Sequence, residues 1–379
     1  MRGVQGLMAH AGDGAARLRP VPSAVVMQPT TTCNLACDYC YLPARPNQHM
    51  APAVAHRVAA AVNRWVGDGH LVRVFWHCGE PLVAGRDRLA DLMAPFAASV
   101  VHGVQTNATL IDDRWCEFFL DRGIEVSISI DGPEELDVHR VQRGGRPAHS
   151  RIMAGIAALR RNDVPFGALA VVTDPTPDAA RRLYDFFADL GARRLGVSLQ
   201  QSLSPTRCPR DGADYEEFWL ALLEAWLDNP VVRIREIDHC IDDAFRLLND
   251  PERNGAADVD PLPAVGWDGE VVLTAPELLG LRGPDDLPFS SGNVLETPLD
   301  AIIATAAERS PWLAAHLAAA QECLDTCPYG AICPGPSPAP SWFETGTLTT
   351  GPTEHCRGAV IAAAEAITLP LLRRAARPA

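Results

Sequence analysis

The sequence predicts an α/β fold: a partial (β/α)6 barrel followed by a smaller, cysteine-rich region. Three observations carry this. Apolar runs of strand length alternate six times with stretches of helical spacing between residues 23 and 228. Such alternation implies parallel strands with helices outside, and right-handed crossovers curl them toward a barrel. Beyond residue 230 the alternation stops, and Cys, Pro and Gly become dense near the C-terminus.

The elements follow in order. Residues 1–20 are rich in Gly, Ala and Arg and are expected to be a flexible N-terminal segment. Ser23 to Gln28 reads as a buried strand, stopped by Pro29. Val54, Val58, Val62 and Trp65 give residues 51–66 a helical face. Val72 to Trp76 is the second strand, 86–97 a helix, and Val100 to Gln105 the third strand. A helix at 112–122 leads to the strand Glu125 to Ile130, and one at 149–162 to the strand Ala168 to Val172. The helix 178–190, the strand Leu195 to Leu199 and the helix 214–228 complete six units. Residues 21–230 are thus read as a TIM-like partial barrel core, with its site at the C-terminal strand ends.

A helical connector, residues 231–262, carries a helix from Asp238 to Leu248. Residues 263–379 are read as the cysteine-rich domain. There Val265 to Leu273 forms a hairpin turning at Asp268-Gly269, and one helix is expected from Leu299 to Ala320. The stretch Cys323 to Cys356 has too little apolar content for much of a core, so metal crosslinks would set its shape. A C-terminal helix is expected to break near Pro370.

Composition excludes several classes. With 379 residues and 47% hydrophobic content the chain can bury large cores. A net charge of −14 argues against a nucleic-acid surface. No apolar run reaches membrane length, and Met1 to Pro20 lacks the apolar core of a secretory signal. Eleven cysteines in such a chain read as metal ligands in the cytoplasm, not disulfides.

Two cysteine clusters carry the chemistry. Cys33-x3-Cys37-x2-Cys40 follows the first strand directly. Three thiolates can hold three corners of a [4Fe–4S] cubane and leave the fourth iron open to a small molecule, whereas electron-transfer clusters take four cysteines. A zinc loop is the alternative; it needs a fourth ligand, for which His49 is available. Cys323-x3-Cys327-x5-Cys333-x22-Cys356 can close a second cluster or a four-cysteine zinc site. Cys116 and Cys240 lie in helical pattern and read as small buried hydrophobes; Cys208 is unassigned.

The first loop, with Tyr39 just before its last cysteine, resembles the signature of the radical S-adenosylmethionine (SAM) enzymes. Cys78-Gly79-Glu80-Pro81, one strand later, resembles that family's Gly-Gly-Glu-Pro element, which binds the SAM amino group. Cys78 stands where the first Gly is usual, so a backbone role is expected of it. The resemblance implies further SAM contacts: Asn107 at the third strand end, Ser129 on the ribose, Arg140 on the carboxylate and Leu199 near the adenine.

The distal cysteines resemble the SPASM domain of radical SAM maturases. Full SPASM domains carry seven cysteines and two clusters. Those expected around the 266–276 hairpin are absent here, so one auxiliary [4Fe–4S] cluster is expected. Glu344-x-Gly346 and Glu354-His355-Cys356 are similar to the branch that joins an aromatic ring to a Cβ of a ribosomally made precursor peptide, forming a cyclophane. That branch usually has Cys-Gly-Gly-Gly where this chain has Cys333-Pro334-Gly335-Pro336. The implied route is a 5′-deoxyadenosyl radical that takes a peptide hydrogen, ring addition, and loss of one electron and one proton. The auxiliary cluster would receive the electron. A flavodoxin or ferredoxin would supply the reducing electron. No base is identified: Glu80 is assigned to SAM, leaving Asp131 as the candidate. Leader recognition is expected on the barrel, the connector or a partner. Alternatives are an anaerobic sulfatase-type (formylglycine) maturase, a thioether-forming maturase, and a non-catalytic iron–sulfur or zinc scaffold.

Overall fold

In the computed structural model of the protein, residues 16–42, 47–201, 215–249, 258–283, 286–333, 335–348 and 351–375 are described. Six parallel strands form its centre: β1 (Ala24–Met27), β2 (Arg73–Trp76), β3 (Val101–Thr106), β4 (Glu125–Ser129), β5 (Phe166–Val172) and β6 (Arg194–Leu199). They pair in that order, with Val25 opposite Val74, Val74 opposite His102 and Ile128 opposite Ala168. A two-residue β7 (Arg233–Ile234) adds parallel to β6.

Each crossover carries a helix: α1 (Pro52–Gly67), α2 (Arg86–Met93), α3 (Asp113–Arg122), α4 (His149–Arg161), α5 (Pro177–Leu190) and α6 (Tyr215–Asp228). Their ends are written in the sequence. Asp112 caps α3 by accepting from Trp115 N at 2.9 Å, and Thr176 caps α5 by accepting from Ala179 N at 3.2 Å. Gly123 and Gly191 end those helices in the left-handed region. The α2 helix stops at Met93, short of the expected 97, because Pro95 cannot continue it.

Strand alternation sorts the side chains. Val74, Trp76, Val104, Val126, Ile128, Ala170 and Leu195 are buried beneath the helices. The alternate residues Phe75, Gln105, Ser127, Ser129, Leu169 and Ser198 are only half-buried. The concave face is therefore hollow, which leaves room for a ligand.

The hairpin is β8 (Ala264–Val265) with β9 (Glu270–Val272), and β10 (Gly292–Asn293) follows. It extends the barrel sheet: β8 pairs parallel with β1, so the sheet has ten strands among the described residues. One apolar core runs from Val25 through to Ile367 and joins the two regions.

Four expectations change. The single helix from Leu299 to Ala320 is two, α8 (Leu299–Arg309) and α9 (Pro311–Thr326), split where Pro311 starts a new helix. Pro338–Thr345 is helical (α10) and buries Phe343, with Trp342 against Phe289 at 5.3 Å between ring centres. The C-terminal helix does not break at Pro370. Wide π turns at Cys356–Ile361 and Ala364–Thr368 precede Leu369–Ala375 (α11), and the helical path continues across the proline. The described part of the N-terminal segment is tied down: Arg17–Leu18 pairs with Asp258–Val259, and Ala16 N donates to Gln321 at 2.8 Å. Residues 1–15 and Cys208 lie outside the described residues. In the connector, Arg235–Asn249 (α7) contains the expected helix.

Candidate active site

The cysteine loop leaves the C-terminal end of β1 and is anchored on several sides. Glu80 N donates to Thr32 O at 2.9 Å, and Ala36 N to Val141 O at 2.8 Å. Arg143 donates to Cys33 O at 2.8 Å. Gly79 makes the first anchor possible: a Cβ there would stand 2.4 Å from Thr30 O. Cys33 Sγ accepts from Leu35 N at 3.4 Å and from Asn107 Nδ2 at 3.8 Å. Burial pushes the Cys33 thiol up to about 11 and the Cys37 thiol up to about 12. Both are neutral at pH 7 unless a cation stabilises their thiolates. Among the described residues no three His, Cys, Asp or Glu groups are placed to hold a single metal ion.

The three cysteines open onto a pocket of about 260 Å³ at the C-terminal strand ends. Of the expected SAM contacts, Tyr39, Gly79, Glu80, Asn107, Ser129, Arg140 and Leu199 all line it. Glu80 is buried and held by three donors: Leu82 N at 3.0 Å, Thr106 Oγ1 at 2.7 Å and Asn107 N at 2.8 Å. Burial still pushes its carboxyl up to about 7. Ser129 Oγ accepts from Gln105 at 2.7 Å, which leaves its own proton free to donate.

One expectation is narrowed and one is corrected. The Cys78 side chain does not line the pocket; it is fully buried, with Sγ 4.0 Å from the Tyr41 hydroxyl, which leaves only its backbone for the expected role. Its backbone explains the family glycine: φ is 66°, in the left-handed region. Asp131 does not face the pocket as a free base. Its oxygens accept from Arg140 at 2.8 Å, from Val171 N at 2.9 Å and from the Tyr39 hydroxyl. Asp131 is a tether that holds Arg140 5.5 Å from the centre of the Tyr39 ring.

The distal cysteines also come together. Cys323 lies in the last turn of α9, and Cys327 N donates to Cys323 O at 2.9 Å. Cys333 and Cys356 rise to about 11 and about 12, first through burial and then through the negative charge of the neighbouring cysteines. The Glu344 carboxylate caps the helical turn that delivers Cys356, accepting from Glu354 N at 2.6 Å and His355 N at 3.0 Å. Cys116 is buried as expected and Cys240 half-buried.

Residues 27–178 match the model of the Radical SAM superfamily. They form a radical SAM domain. The chain is 28% identical over 365 residues to an uncharacterized protein of Synechocystis sp., covering 90% of each. It is 34% identical over 207 residues to the serine-type anaerobic sulfatase-maturating enzyme of Klebsiella aerogenes, covering 51% of this chain. It spans about half the length of that relative (50%). In fold it resembles native anSMEcpe with bound AdoMet, with a TM-score of 0.71 and 19% identity over 93% of this chain and 98% of that one. It also resembles Streptococcus suis SuiB bound to precursor peptide SuiA, with a TM-score of 0.62 and 15% identity over 90% and 77%.

The radical SAM domain makes the chain an enzyme that uses a [4Fe–4S] cluster and SAM. The pocket residues suit both groups. Two half-buried thiols with raised pKa need a cation to ionise, and the buried Arg140 Nε, 3.6 Å from Asp137, has no hydrogen-bond partner among the described residues. The pocket also holds residues that sequence reasoning missed. Tyr41 and His77 lie side by side, 3.2 Å apart, and Ser198 follows from the inward alternation of β6. Glu277, from the turn Pro276–Leu278 beyond the hairpin, has no local signal; the pairing of β8 with β1 brings it there. No helix of the described chain is long and apolar enough to cross a membrane.

Proposed function

We propose that this radical SAM enzyme modifies a ribosomally made precursor peptide, joining an aromatic ring to a neighbouring Cβ in a cyclophane. The observation that carries the reading is the single pocket shared by Cys33, Cys37, Cys40, Glu80, Asn107, Ser129 and Arg140. The three cysteines would hold the [4Fe–4S] cluster by three irons. Glu80 and the backbone of Cys78-Gly79 would take the SAM amino group, and Arg140 its carboxylate through paired donors. Ser129 would donate to the ribose, and Leu199 and Tyr39 would flank the adenine. When bound and reduced, these cofactors supply a primary carbon radical able to take hydrogen from an unactivated C–H bond.

The chain's own residues do the rest. Ring closure on an aromatic side chain leaves one proton and one electron to remove. Glu277 is the pocket carboxylate left for the proton, because Glu80 is committed to three donors and Asp131 to its tether. Burial raises the Glu277 carboxyl and makes it a better acceptor. Cys323, Cys327, Cys333 and Cys356 would hold one auxiliary [4Fe–4S] cluster, an electron acceptor when bound. In this reading residues 21–230 are the catalytic core, 231–262 the connector and 263–379 the SPASM-like domain. The enzyme works in the cytoplasm with a flavodoxin or ferredoxin as reductant. Co-expression with candidate short peptides encoded near the gene, followed by fragmentation mass spectrometry, tests this: each ring removes two hydrogens and blocks backbone fragmentation between the joined residues.

The second reading is a sulfatase-type maturase, favoured by the likeness to the Klebsiella aerogenes enzyme. It predicts that the same peptide gains an aldehyde at Ser or Cys, with no new ring.

A further inference from the structure

The barrel has a second opening that this chemistry does not use. At the N-terminal ends of β2, β4, β5 and β6, on the face opposite the cysteine loop, lies a cavity of about 690 Å³. Its floor is apolar, with the half-buried, inward-facing Phe75 and Leu169. Its rim carries four arginines from separate places in the chain: Arg73 opening β2, Arg193 and Arg194 opening β6, and Arg235 opening α7.

Carboxylates offset these charges only in part. Arg235 is paired with Glu236, its Nε donating at 2.7 Å. Arg73 lies 3.8 Å from Glu125, with both side chains about half exposed, a pair worth little. Among the described residues the Arg193 and Arg194 side chains have no hydrogen bond or ion pair. In a chain of net charge −14 this mouth is locally cationic. The inner wall is shaped for it: a Cβ on Gly196 would stand 3.1 Å from the Arg235 guanidinium carbon, so the glycine lets that group lie against the strand.

We propose that this rear mouth binds an acidic peptide segment, its carboxylates on Arg73, Arg193 and Arg194 and its apolar side chains on the Phe75–Leu169 floor. A small anion would engage one arginine pair and leave that floor wet; an amphipathic segment covers both. Gln105 and Leu169 line both this cavity and the active-site pocket, so the bound segment lies one layer of side chains behind the chemistry. The site is additional to the proposed reaction and does not depend on it.

The test uses the full chain without cluster, SAM or reductant, so its outcome is separate from that of the radical chemistry. The probe is a fluorescein-labelled peptide alternating Glu and Leu, read by anisotropy. The expected result is saturable binding that weakens with salt and falls at least about tenfold in Arg193→Glu/Arg194→Glu. The double variant Arg193→Lys/Arg194→Lys keeps most of it. Arg73→Glu serves as a second loss variant should the double reversal melt early. Equal binding to folded charge-reversed protein overturns the proposal, as does equal binding of a Lys–Leu peptide. Displacement of the probe by inorganic phosphate at the peptide's own concentration also overturns it, in favour of a small-anion site.

Discussion

Cys78 shows how much one backbone angle can decide. At φ 66° a side chain costs about 1 kcal/mol, yet this one is fully buried against Tyr41. Cys78→Gly relieves the strain and loses the buried thiol, so stability should change by less than about 1 kcal/mol. Cys78→Val puts a β-branched residue in the left-handed region and should cost more than about 2 kcal/mol in urea unfolding. Asp131→Asn leaves the buried Arg140 without its main counter-charge and should cost about 3 kcal/mol. Glu277→Gln should abolish ring formation while SAM cleavage continues; loss of both would remove its assignment as proton acceptor. The three loop cysteines and the Gly79-Glu80 turn that share the pocket were legible in the sequence because their spacing is local: Cys33 to Cys40 within one loop, Cys78 to Pro81 within one turn. Glu277 was not, because only long-range strand pairing brings it to the pocket.

Among the elements, β3 carries a pH-sensitive packing unit. His102 sits 5.2 Å from the Phe96 ring and 6.0 Å from Trp76, and its Nδ1 accepts from the indole N–H at 3.2 Å. Burial lowers its pKa from 6.5 to about 4. Below pH 6.5 the unfolded chain binds a proton that the folded chain refuses. Stability from this group is therefore full above pH 6.5 and is lost as pH falls toward 4, by up to about 3 kcal/mol. His102→Gln, which keeps an acceptor for the indole, should flatten that part of the pH–stability curve; an unchanged slope would rule this out. The elements themselves were mostly readable, since strand alternation and helix caps are written locally. The misreadings came where proline acts by position: Pro311 begins a helix inside an apolar run, and Pro338 begins one inside the stretch whose shape was expected to come from metal crosslinks.

Across the molecule, the hairpin joins the cysteine-rich region to the barrel sheet, so both share one core. A sequence gives a hairpin's turn but not the sheet edge it will find. That edge brings Glu277 to the same pocket as Glu80. The reconstituted protein should then hold about eight irons, two four-iron clusters; about twelve would require a third. The central claim is that the Cys33–Cys37–Cys40 pocket binds a cluster and SAM and starts radical chemistry. The most direct test is to reconstitute the protein anaerobically, reduce it with dithionite, add SAM and measure 5′-deoxyadenosine. The account predicts that the wild type forms it and that Cys33→Ala/Cys37→Ala/Cys40→Ala does not. An iron-loaded wild type that forms none, or a triple variant that still does, would contradict it.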